Sequence, residues 1–184
     1  MLLVSAVSSP RLYVYMMGQD DPKKCSANRL VKLRLAIPLY RRSQIPKGAL
    51  VLDPYAEKLL TPLDREKALR YGIVAIDCSW RKAETVFSKQ LSRNGRKLPL
   101  LLPANPINYA RGGMLSSLEA LSGTLYILGF KEEGQELLKC FKWAPNFLEL
   151  NRDPLDAYAS ATSEEDIARF MAEFFPRLHT TPDG

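Results

Sequence analysis

Polar residues follow two apolar runs of this sequence, and they are of the types that act on a bound substrate. The run 73–76 ends at Asp77, with Trp80 three residues later, and the run 98–102 breaks into the asparagine-rich turns of residues 104–109. A carboxylate such as Asp77 can accept a proton or hold a cation. Ligands of α/β proteins usually bind just beyond the carboxyl ends of buried strands, so these two positions predict a ligand site.

The remaining reactive residue types exclude several kinds of site. The only histidine is His179, near the end of the chain, which argues against a serine–histidine–aspartate triad and against a histidine-rich metal site. Cys25, Cys78 and Cys140 are widely spaced and form no CxxC pair, as expected of reduced thiols in the cytoplasm and not of a zinc site. Catalysis must then use carboxylates, main-chain groups or a reactive cofactor, and we expect no metal.

Basic charge is concentrated in the first quarter of the chain. Residues 1–48 hold nine Lys or Arg against two Asp or Glu, whereas residues 49–184 hold seventeen against eighteen. This asymmetry predicts a surface that faces phosphate groups. The alternative is a solvated charged face without a partner.

Strands alternate with helices along the sequence, which predicts an α/β fold with a largely parallel sheet. Capping residues mark several helix starts, among them Thr61-Pro62 and Ser163. The predicted strands cover residues 12–17, 49–52, 73–77 and 98–102, and the predicted helices cover 28–35, 61–71, 80–91, 115–128, 131–141 and 163–175. A basic turn is expected at 93–97, and Ile37-Pro38 is expected to end the first helix.

Membrane insertion is not expected from this sequence. No apolar stretch approaches the roughly 20 residues that span a bilayer. The apolar start at residues 1–7 lacks a basic flank, so it is interpreted as a strand or a chain end and not as a signal peptide.

Several linked motifs resemble the small-subunit ribosomal RNA aminocarboxypropyltransferase family over almost the whole chain. In order, they are Asp21-Pro22-Lys23-Lys24-Cys25-Ser26 with Arg29-Leu30, Leu52-Asp53-Pro54, Asp77-Cys78-Ser79-Trp80, Leu98-Pro99 with Ala104-Asn105-Pro106-Ile107-Asn108-Tyr109, Leu115-Ser116 with Glu119-Ala120, and Phe141-Lys142-Trp143 with Phe147-Leu148. Two positions depart from the family: Gly112-Gly113 replaces bulkier residues, and Ser26 stands where some relatives have threonine.

The resemblance implies an S-adenosylmethionine-dependent enzyme. It would transfer the 3-amino-3-carboxypropyl group to N3 of a modified uridine, typically N1-methylpseudouridine, in small-subunit rRNA, and release 5′-methylthioadenosine. The implied architecture is a small basic N-terminal α/β domain (1–60), a SPOUT-like domain with a trefoil knot (61–178) that binds the cofactor, and a tail (179–184). A cytoplasmic monomer is expected.

Within this family the predicted site residues acquire roles. Asp77 is expected to act as the base for uridine N3, to orient the cofactor's ammonium group, or to cap the helix that follows. Trp80 and Ala83 would cover the cofactor's methyl group, although Trp80 could also be plain core. The other cofactor contacts are Ser26 for the carboxylate, Leu52, Pro54, Leu98, Leu100 and Leu115 for adenine, main-chain groups of Ile73 and Val74 for the ribose, and Ser116, Ser117 and Glu119 as ligands or helix caps. Asn105 and Asn108 are expected to form turns.

Basic residues supply the expected rRNA contacts. The main set is Lys23, Lys24, Arg29, Lys32 and Arg34, with Lys67, Arg70, Arg93, Arg96 and Arg111 as outer contacts. Two other functions remain open: a SPOUT methyltransferase that presents the cofactor's methyl group to RNA, and an rRNA-binding assembly factor without catalysis. The aromatic residues around Trp143 are expected to pack the C-terminal helices against the sheet.

Overall fold

The computed structural model describes residues 9–18, 25–78, 80, 82 and 94–176 of the 184-residue chain. Strands β1 to β5 cover Leu12–Met16, Ile37–Leu39, Leu50–Leu52, Ile73–Asp77 and Gly95–Arg96. Helices α1 to α6 cover Ser26–Lys32, Arg65–Tyr71, Ser117–Ile127, Lys131–Leu138, Asn146–Ala159 and Glu164–Phe174. Short 3-10 turns lie at Arg42–Gln44 and Pro62–Asp64.

The strands form one parallel sheet in the order β2-β1-β4-β3-β5. Strand β4 lies at its centre and pairs with β1 from Leu12↔Ile73 to Met16↔Asp77. Because all pairs are parallel, the carboxyl ends of the strands meet at one edge. The predicted α/β class with a parallel sheet is confirmed. Strands from both sides of residue 60 contribute to this sheet.

The alternation of side chains along the strands divides the core in two. Ile73 and Ala75 of β4 pack into the main core, together with residues of helices α1, α3, α5 and α6. Val74 and Ile76 point to the opposite face and pack into a smaller cluster with Tyr13 and Val51. This period of two buries both faces of β4, which explains why its sequence is a continuous apolar run.

Gly72 makes the turn between α2 and β4. Its φ is +86°, a backbone conformation that favours glycine. A Cβ at this position would lie 2.6 Å from the Tyr13 ring and 2.7 Å from the Arg11 carbonyl oxygen. Only glycine therefore allows α2 to end directly before the central strand.

Most elements with strong local signals form where the sequence predicts them. Strand 73–77 is confirmed to the residue, and the predicted strands at 12–17 and 49–52 are each one residue longer than observed. Helix α3 begins after an N-cap at Ser116, and α6 begins after an N-cap at Ser163. The predicted helix 80–91 lies almost wholly outside the described residues.

The predicted strand 98–102 is wrong, because this segment pairs with side chains and not with another strand. The Leu102 N–H donates to Asn151 Oδ1 at 2.7 Å, and Asn151 Nδ2 donates to the Leu102 carbonyl at 2.8 Å. The Tyr158 hydroxyl donates to the Leu100 carbonyl at 3.0 Å. Helix α5 thus supplies the hydrogen bonds that a neighbouring strand would otherwise provide.

Two elements contain prolines that hide them from sequence analysis, and a third is very short. Strand β2 includes Pro38, which the sheet tolerates because β2 is an edge strand. Helix α5 contains Pro154, and the non-helical backbone of Asn151 (φ −118°, ψ 15°) marks a kink just before it. The expected basic turn at 93–97 contains the two-residue strand β5.

We expect replacement of the fully buried Asn151 by leucine to destabilise the fold by about 2–4 kcal/mol, because the Leu102 N–H and two carbonyls lose their partner. Urea denaturation measures this change. Arg152→Ala, at the exposed neighbouring position of α5, is the control and should change stability by less than about 0.5 kcal/mol. Equal stability of the two variants would contradict the role assigned to Asn151.

Candidate active site

Asp77 ends the central strand, at the edge of the sheet where all strands have their carboxyl ends. Its side chain is buried, and its main-chain carbonyl accepts a hydrogen bond from the Met17 N–H at 3.3 Å. On one side β1 ends beside it at Met16, and on the other side β3 ends at Leu52, two residues earlier in the register. A carboxylate is thereby placed where ligands of open parallel sheets usually bind.

Cys25 contacts Asp77 from the start of α1. Its thiol lies 3.3 Å from Oδ1 and 3.4 Å from Oδ2 of Asp77, to which it donates, and it accepts from the Asn28 N–H as the N-cap of α1. Burial, with the nearby Asp77 charge, raises the pKa of the Cys25 thiol to about 11. The thiol is therefore protonated at neutral pH and remains a hydrogen-bond donor.

Sequence reasoning gave Cys25 no part in the site. The signal was present in its position directly before Ser26, at the beginning of a helix. An N-cap residue has its side chain turned back toward the helix start, which here faces the end of β4.

Ser26 connects α1 to α3. Its side chain is buried, and its Oγ accepts a hydrogen bond from the Leu118 N–H at 3.3 Å. A hydroxyl can donate its own hydrogen while accepting another, so Ser26 can still bind a carboxylate. The predicted ligand residue is thus held against the first turn of a longer helix.

Trp80 follows the end of β4 and contacts Leu115, the residue before the N-cap of α3. Its Nε1–H donates to the Leu115 carbonyl at 3.0 Å, and its ring packs against the smaller core cluster. Two predicted cofactor residues, Trp80 and Leu115, are therefore in direct contact. Ala83, the predicted partner of Trp80, lies outside the described residues.

The start of α3 is a complete capping box. Ser116 Oγ accepts from the Glu119 N–H, and the Glu119 carboxylate accepts from the Ser116 N–H. The capping alternative for Ser116 and Glu119 is therefore confirmed. Ser117 is the first helical residue and is half-buried. The Glu119 carboxylate already lies at the positive end of this helix, so the group that Ser117 can offer to a bound anion is its hydroxyl.

The fully buried Glu119 side chain also holds the preceding loop. Oε1 accepts from the main-chain N–H groups of Ala104 and Asn105, at 2.7 and 3.0 Å. Oε2 accepts from Asn105 Nδ2 and from the Ser116 hydroxyl, both at 2.8 Å. Asn105 Oδ1 accepts from the Asn108 N–H at 2.9 Å, so Asn105 forms a turn as predicted.

Some of the residues predicted to contact adenine are buried in the main core, and the others are half-buried. Leu52 and Leu115 are buried in the main core, and Leu98 packs against it. Leu100 is half-buried, and its N–H lies 3.3 Å from the Met171 sulfur. Pro54 is half-buried just beyond the end of β3, next to Asp53, whose pKa burial raises.

Ile73 and Val74 do not reach this edge of the sheet. Ile73 and Val74 begin β4, four and three residues before Asp77, which corresponds to about 13 and 10 Å along a strand. Both are paired with β1 on one side and β3 on the other. The expected ribose contact disagrees with this placement, because ladder pairing already uses the main chain of a central strand.

The basic residues that are predicted to contact RNA differ in their exposure to solvent. Arg29, Lys32, Arg34, Arg70 and Arg111 are exposed. Lys67 is half-buried and donates to Asn94 Oδ1 at 3.3 Å. Lys23, Lys24 and Arg93 lie outside the described residues.

Arg96 is committed to a structural contact. Its guanidinium lies 3.0 Å from Asp64 Oδ1, and both side chains are largely buried. This ion pair joins β5 to the turn before α2, so the expectation that Arg96 contacts RNA disagrees with its surroundings.

Two further features concern the described residues only. They contain no group of three or more His, Cys, Asp or Glu arranged to hold a metal ion. None of the helices described here has the length and apolar character needed to cross a bilayer.

Trp143 stacks on Phe141 at 5.4 Å between ring centroids, and both rings pack against the main core, as predicted.

The raised pKa of Cys25 predicts a pH-dependent stability. The unfolded thiol titrates near pH 9 and the folded thiol near pH 11, so the free energy of unfolding falls as pH rises through this window. Relative to Cys25→Ser, whose hydroxyl does not titrate there, the wild type should lose about 1–2 kcal/mol between pH 8 and pH 10.5. Urea denaturation at both pH values measures the difference, and a constant difference would contradict the buried thiol–carboxylate pair.

The sequence is similar to a described protein family and to proteins of named activity. The family described as "Ribosome biogenesis protein, C-terminal" matches residues 50–175. A Methanocaldococcus jannaschii protein named 16S rRNA aminocarboxypropyltransferase is 42% identical over 168 residues, which are 91% of this chain and 98% of the relative. A Methanopyrus kandleri protein of the same name is 45% identical over 157 residues, covering 85% and 93%.

A solved structure has the same fold. The SAM-dependent rRNA:acp-transferase Tsr3 from Vulcanisaeta distributa superposes with a TM-score of 0.80 at 35% identity, covering 91% of this chain and 98% of that one. With this identity over nearly the full length of its relatives, the chain belongs to the family of 16S rRNA aminocarboxypropyltransferases.

Proposed function

We propose that this protein transfers the 3-amino-3-carboxypropyl group of S-adenosylmethionine to a uridine of small-subunit rRNA. The observation that carries the proposal is the meeting of three chain segments at the carboxyl end of β4. The Cys25–Asp77, Ser26–Leu118 and Trp80–Leu115 hydrogen bonds join the end of β4, the start of α1 and the start of α3. Family membership supplies the reaction class.

The side chains at this place fit the chemical groups of S-adenosylmethionine. Asp77 suits its ammonium group, and the Ser26 and Ser117 hydroxyls beside the start of α3 suit its carboxylate as hydrogen-bond donors. The apolar indole of Trp80 suits the methyl group. When bound, the cofactor supplies a sulfonium whose attached carbons are open to attack by a nucleophile.

The choice of transferred group depends on which carbon faces the acceptor. We propose that Trp80, with Ala83, buries the methyl group and leaves the amino-acid arm exposed to RNA. The hydrogen bond from Trp80 to the Leu115 carbonyl holds the indole ring in place for this purpose. A methyltransferase would need the opposite arrangement, with the methyl group facing the acceptor.

We propose that the acceptor is N3 of N1-methylpseudouridine, as the family resemblance implies. This nitrogen carries a proton that must leave before it becomes a good nucleophile. Asp77 either accepts that proton or orients the cofactor's ammonium group, and both roles use the same carboxylate. Positioning of the two reactants supplies much of the remaining acceleration.

The proposed architecture follows the same resemblance. Residues 1–60 supply the basic part, residues 61–178 supply the SPOUT-like part with a trefoil knot, and strands from both parts share one sheet. Arg29, Lys32 and Arg34 contact rRNA phosphates, together with Lys23, Lys24, Lys67 and Arg111. We further propose a cytoplasmic enzyme that acts as a monomer.

The first test is incubation with S-adenosylmethionine labelled in its carboxyl carbon and small-subunit rRNA that lacks the modification. We expect label to enter the RNA and 5′-methylthioadenosine to be released. Release of S-adenosylhomocysteine without labelled RNA would instead identify a methyltransferase. RNA binding without cofactor binding would identify an assembly factor that has no catalysis.

Asp77→Asn separates the two proposed roles of this carboxylate. If Asp77 is the base, kcat should fall by roughly 10²–10⁴ while the Kd for S-adenosylmethionine changes little. If it holds the ammonium group, that Kd should rise markedly. Calorimetry and single-turnover kinetics measure both quantities. Asp153→Asn, exposed on α5, is the control. An active variant with normal cofactor affinity would exclude both roles.

Replacement of Arg29, Lys32 and Arg34 together by glutamine should weaken rRNA binding and lower its salt dependence. The slope of log K against log salt should decrease in magnitude by about 2–3, because each lost phosphate contact removes about 0.7–0.9. Fluorescence anisotropy at several salt concentrations measures this slope. Arg169→Gln, which removes an exposed arginine paired with Asp166, should leave the slope unchanged. An unaltered slope in the triple variant would place the RNA surface elsewhere.

A further inference from the structure

The loop of residues 105–112, here called the Asn105 loop, exposes two large apolar side chains. Ile107 is 72% exposed and Tyr109 is 60% exposed. Arg111, two residues further on, is exposed as well. Two apolar side chains and a cation therefore lie within five consecutive residues at the surface.

The loop is held in one shape by its own hydrogen bonds. The Ala110 N–H donates to the Pro103 carbonyl at 2.9 Å, and the Arg111 N–H donates to the Asn108 carbonyl at 2.9 Å. Ala110 has a φ of +57°, a left-handed conformation that is uncommon for a residue other than glycine. Such a backbone persists only where the surroundings determine it. Ile107 and Tyr109 are therefore displayed by a preorganised loop.

The Asn105 loop is attached to the candidate active site. The Glu119 carboxylate binds Asn105 on one side and the Ser116 N-cap of α3 on the other. Leu115, next to that cap, accepts the hydrogen bond from Trp80. The loop and the proposed cofactor site thus share the start of α3 as a common support.

The side chains on this loop match an unstacked nucleotide. A tyrosine ring binds the flat face of any base by stacking, an aliphatic neighbour enlarges the apolar area, and an arginine contacts phosphate. A target base must leave its stack to reach an enzyme's site, which exposes apolar base faces that need a new partner. The short loop with its single cation suits one or two nucleotides better than a protein surface.

We propose that Tyr109 and Ile107 form a stacking platform for an unstacked base of the rRNA substrate at or beside the acceptor uridine, with Arg111 contacting the adjacent phosphate. This inference rests on the proposed function, since it assigns the part of the same site that receives RNA. Tyr109 is a positioning residue here: it holds the RNA strand and takes no part in the bond that forms.

The test compares loop variants for binding of a fluorescein-labelled single-stranded uridine-rich RNA and for binding of S-adenosylmethionine. Tyr109→Ala should weaken RNA binding by about 5- to 100-fold with an unchanged salt slope, because stacking is not ionic. Tyr109→Phe should bind RNA like the wild type, and Ile107→Ala should weaken it less than Tyr109→Ala. Arg111→Ala should lower the salt slope by about 0.7–0.9. Tyr40→Ala, at another exposed tyrosine, is the matched control.

The affinity for S-adenosylmethionine should be the same in all five variants. An equal loss of cofactor binding in Tyr109→Ala would show a structural role and overturn the proposal. So would normal RNA binding by Tyr109→Ala, or a Tyr109→Phe variant as weak as the alanine variant, which would indicate a hydroxyl contact. Loss of binding to pre-ribosomal particles but not to naked RNA would identify a protein partner instead. A wild-type protein that binds no RNA would contradict the proposed function itself.

Discussion

The candidate site depends on the carboxylate of Glu119, which is fully buried and accepts five hydrogen bonds. A buried charged group is costly unless its hydrogen-bonding capacity is met, so these donors must all be in place for the fold to be stable. They come from Ala104, Asn105 and Ser116, which lie on two separate segments. The requirement to satisfy one side chain therefore fixes the loop after the extended segment against the start of α3.

The extended segment of residues 98–102, which precedes that loop, is also held by buried polar side chains. Its main-chain groups bond to side chains of α5, with Asn151 acting on Leu102 and Tyr158 acting on Leu100. Amide and hydroxyl groups of a helix can replace a strand as hydrogen-bond partners when they are buried and well aligned. The segment therefore lies outside the sheet, and its main-chain groups at Leu100 and Leu102 are still hydrogen-bonded. The Asn105 loop thus follows a segment that is fixed at Leu100 and Leu102.

The reaction is proposed to occur at the sheet edge beside these two segments. Parallel pairing brings Asp77 to the same edge as the ends of β1 and β3. The start of α1 adds Cys25 and Ser26, and the start of α3 is bonded both to Ser26 and to Trp80. Charge, hydroxyl groups and an indole ring thus surround one location through contacts between residues that are 35 to 92 positions apart in the chain.

The sequence alone determined the α/β class, the central strand, the capped starts of α3 and α6, and the family to which the motifs belong. These features depend on apolar periodicity, on caps and on short motifs, all of which are local. Asp77 was predictable for the same reason, because it ends a strand. Ser26 and Trp80 were identified mainly through the family motifs that contain them.

Only the tertiary structure decided the partner of each polar group. Residues 98–102 have the composition of a buried strand, yet Asn151, 49 positions away from Leu102, takes the place of a strand. Cys25 contacts Asp77 across 52 positions, and Arg96 pairs with Asp64 across 32. Prolines concealed β2 and α5, since local rules cannot show that a strand lies at an edge or that a kinked helix is stabilised by its packing. A buried polar group must find a partner, and the chain's path in three dimensions determines which one it finds.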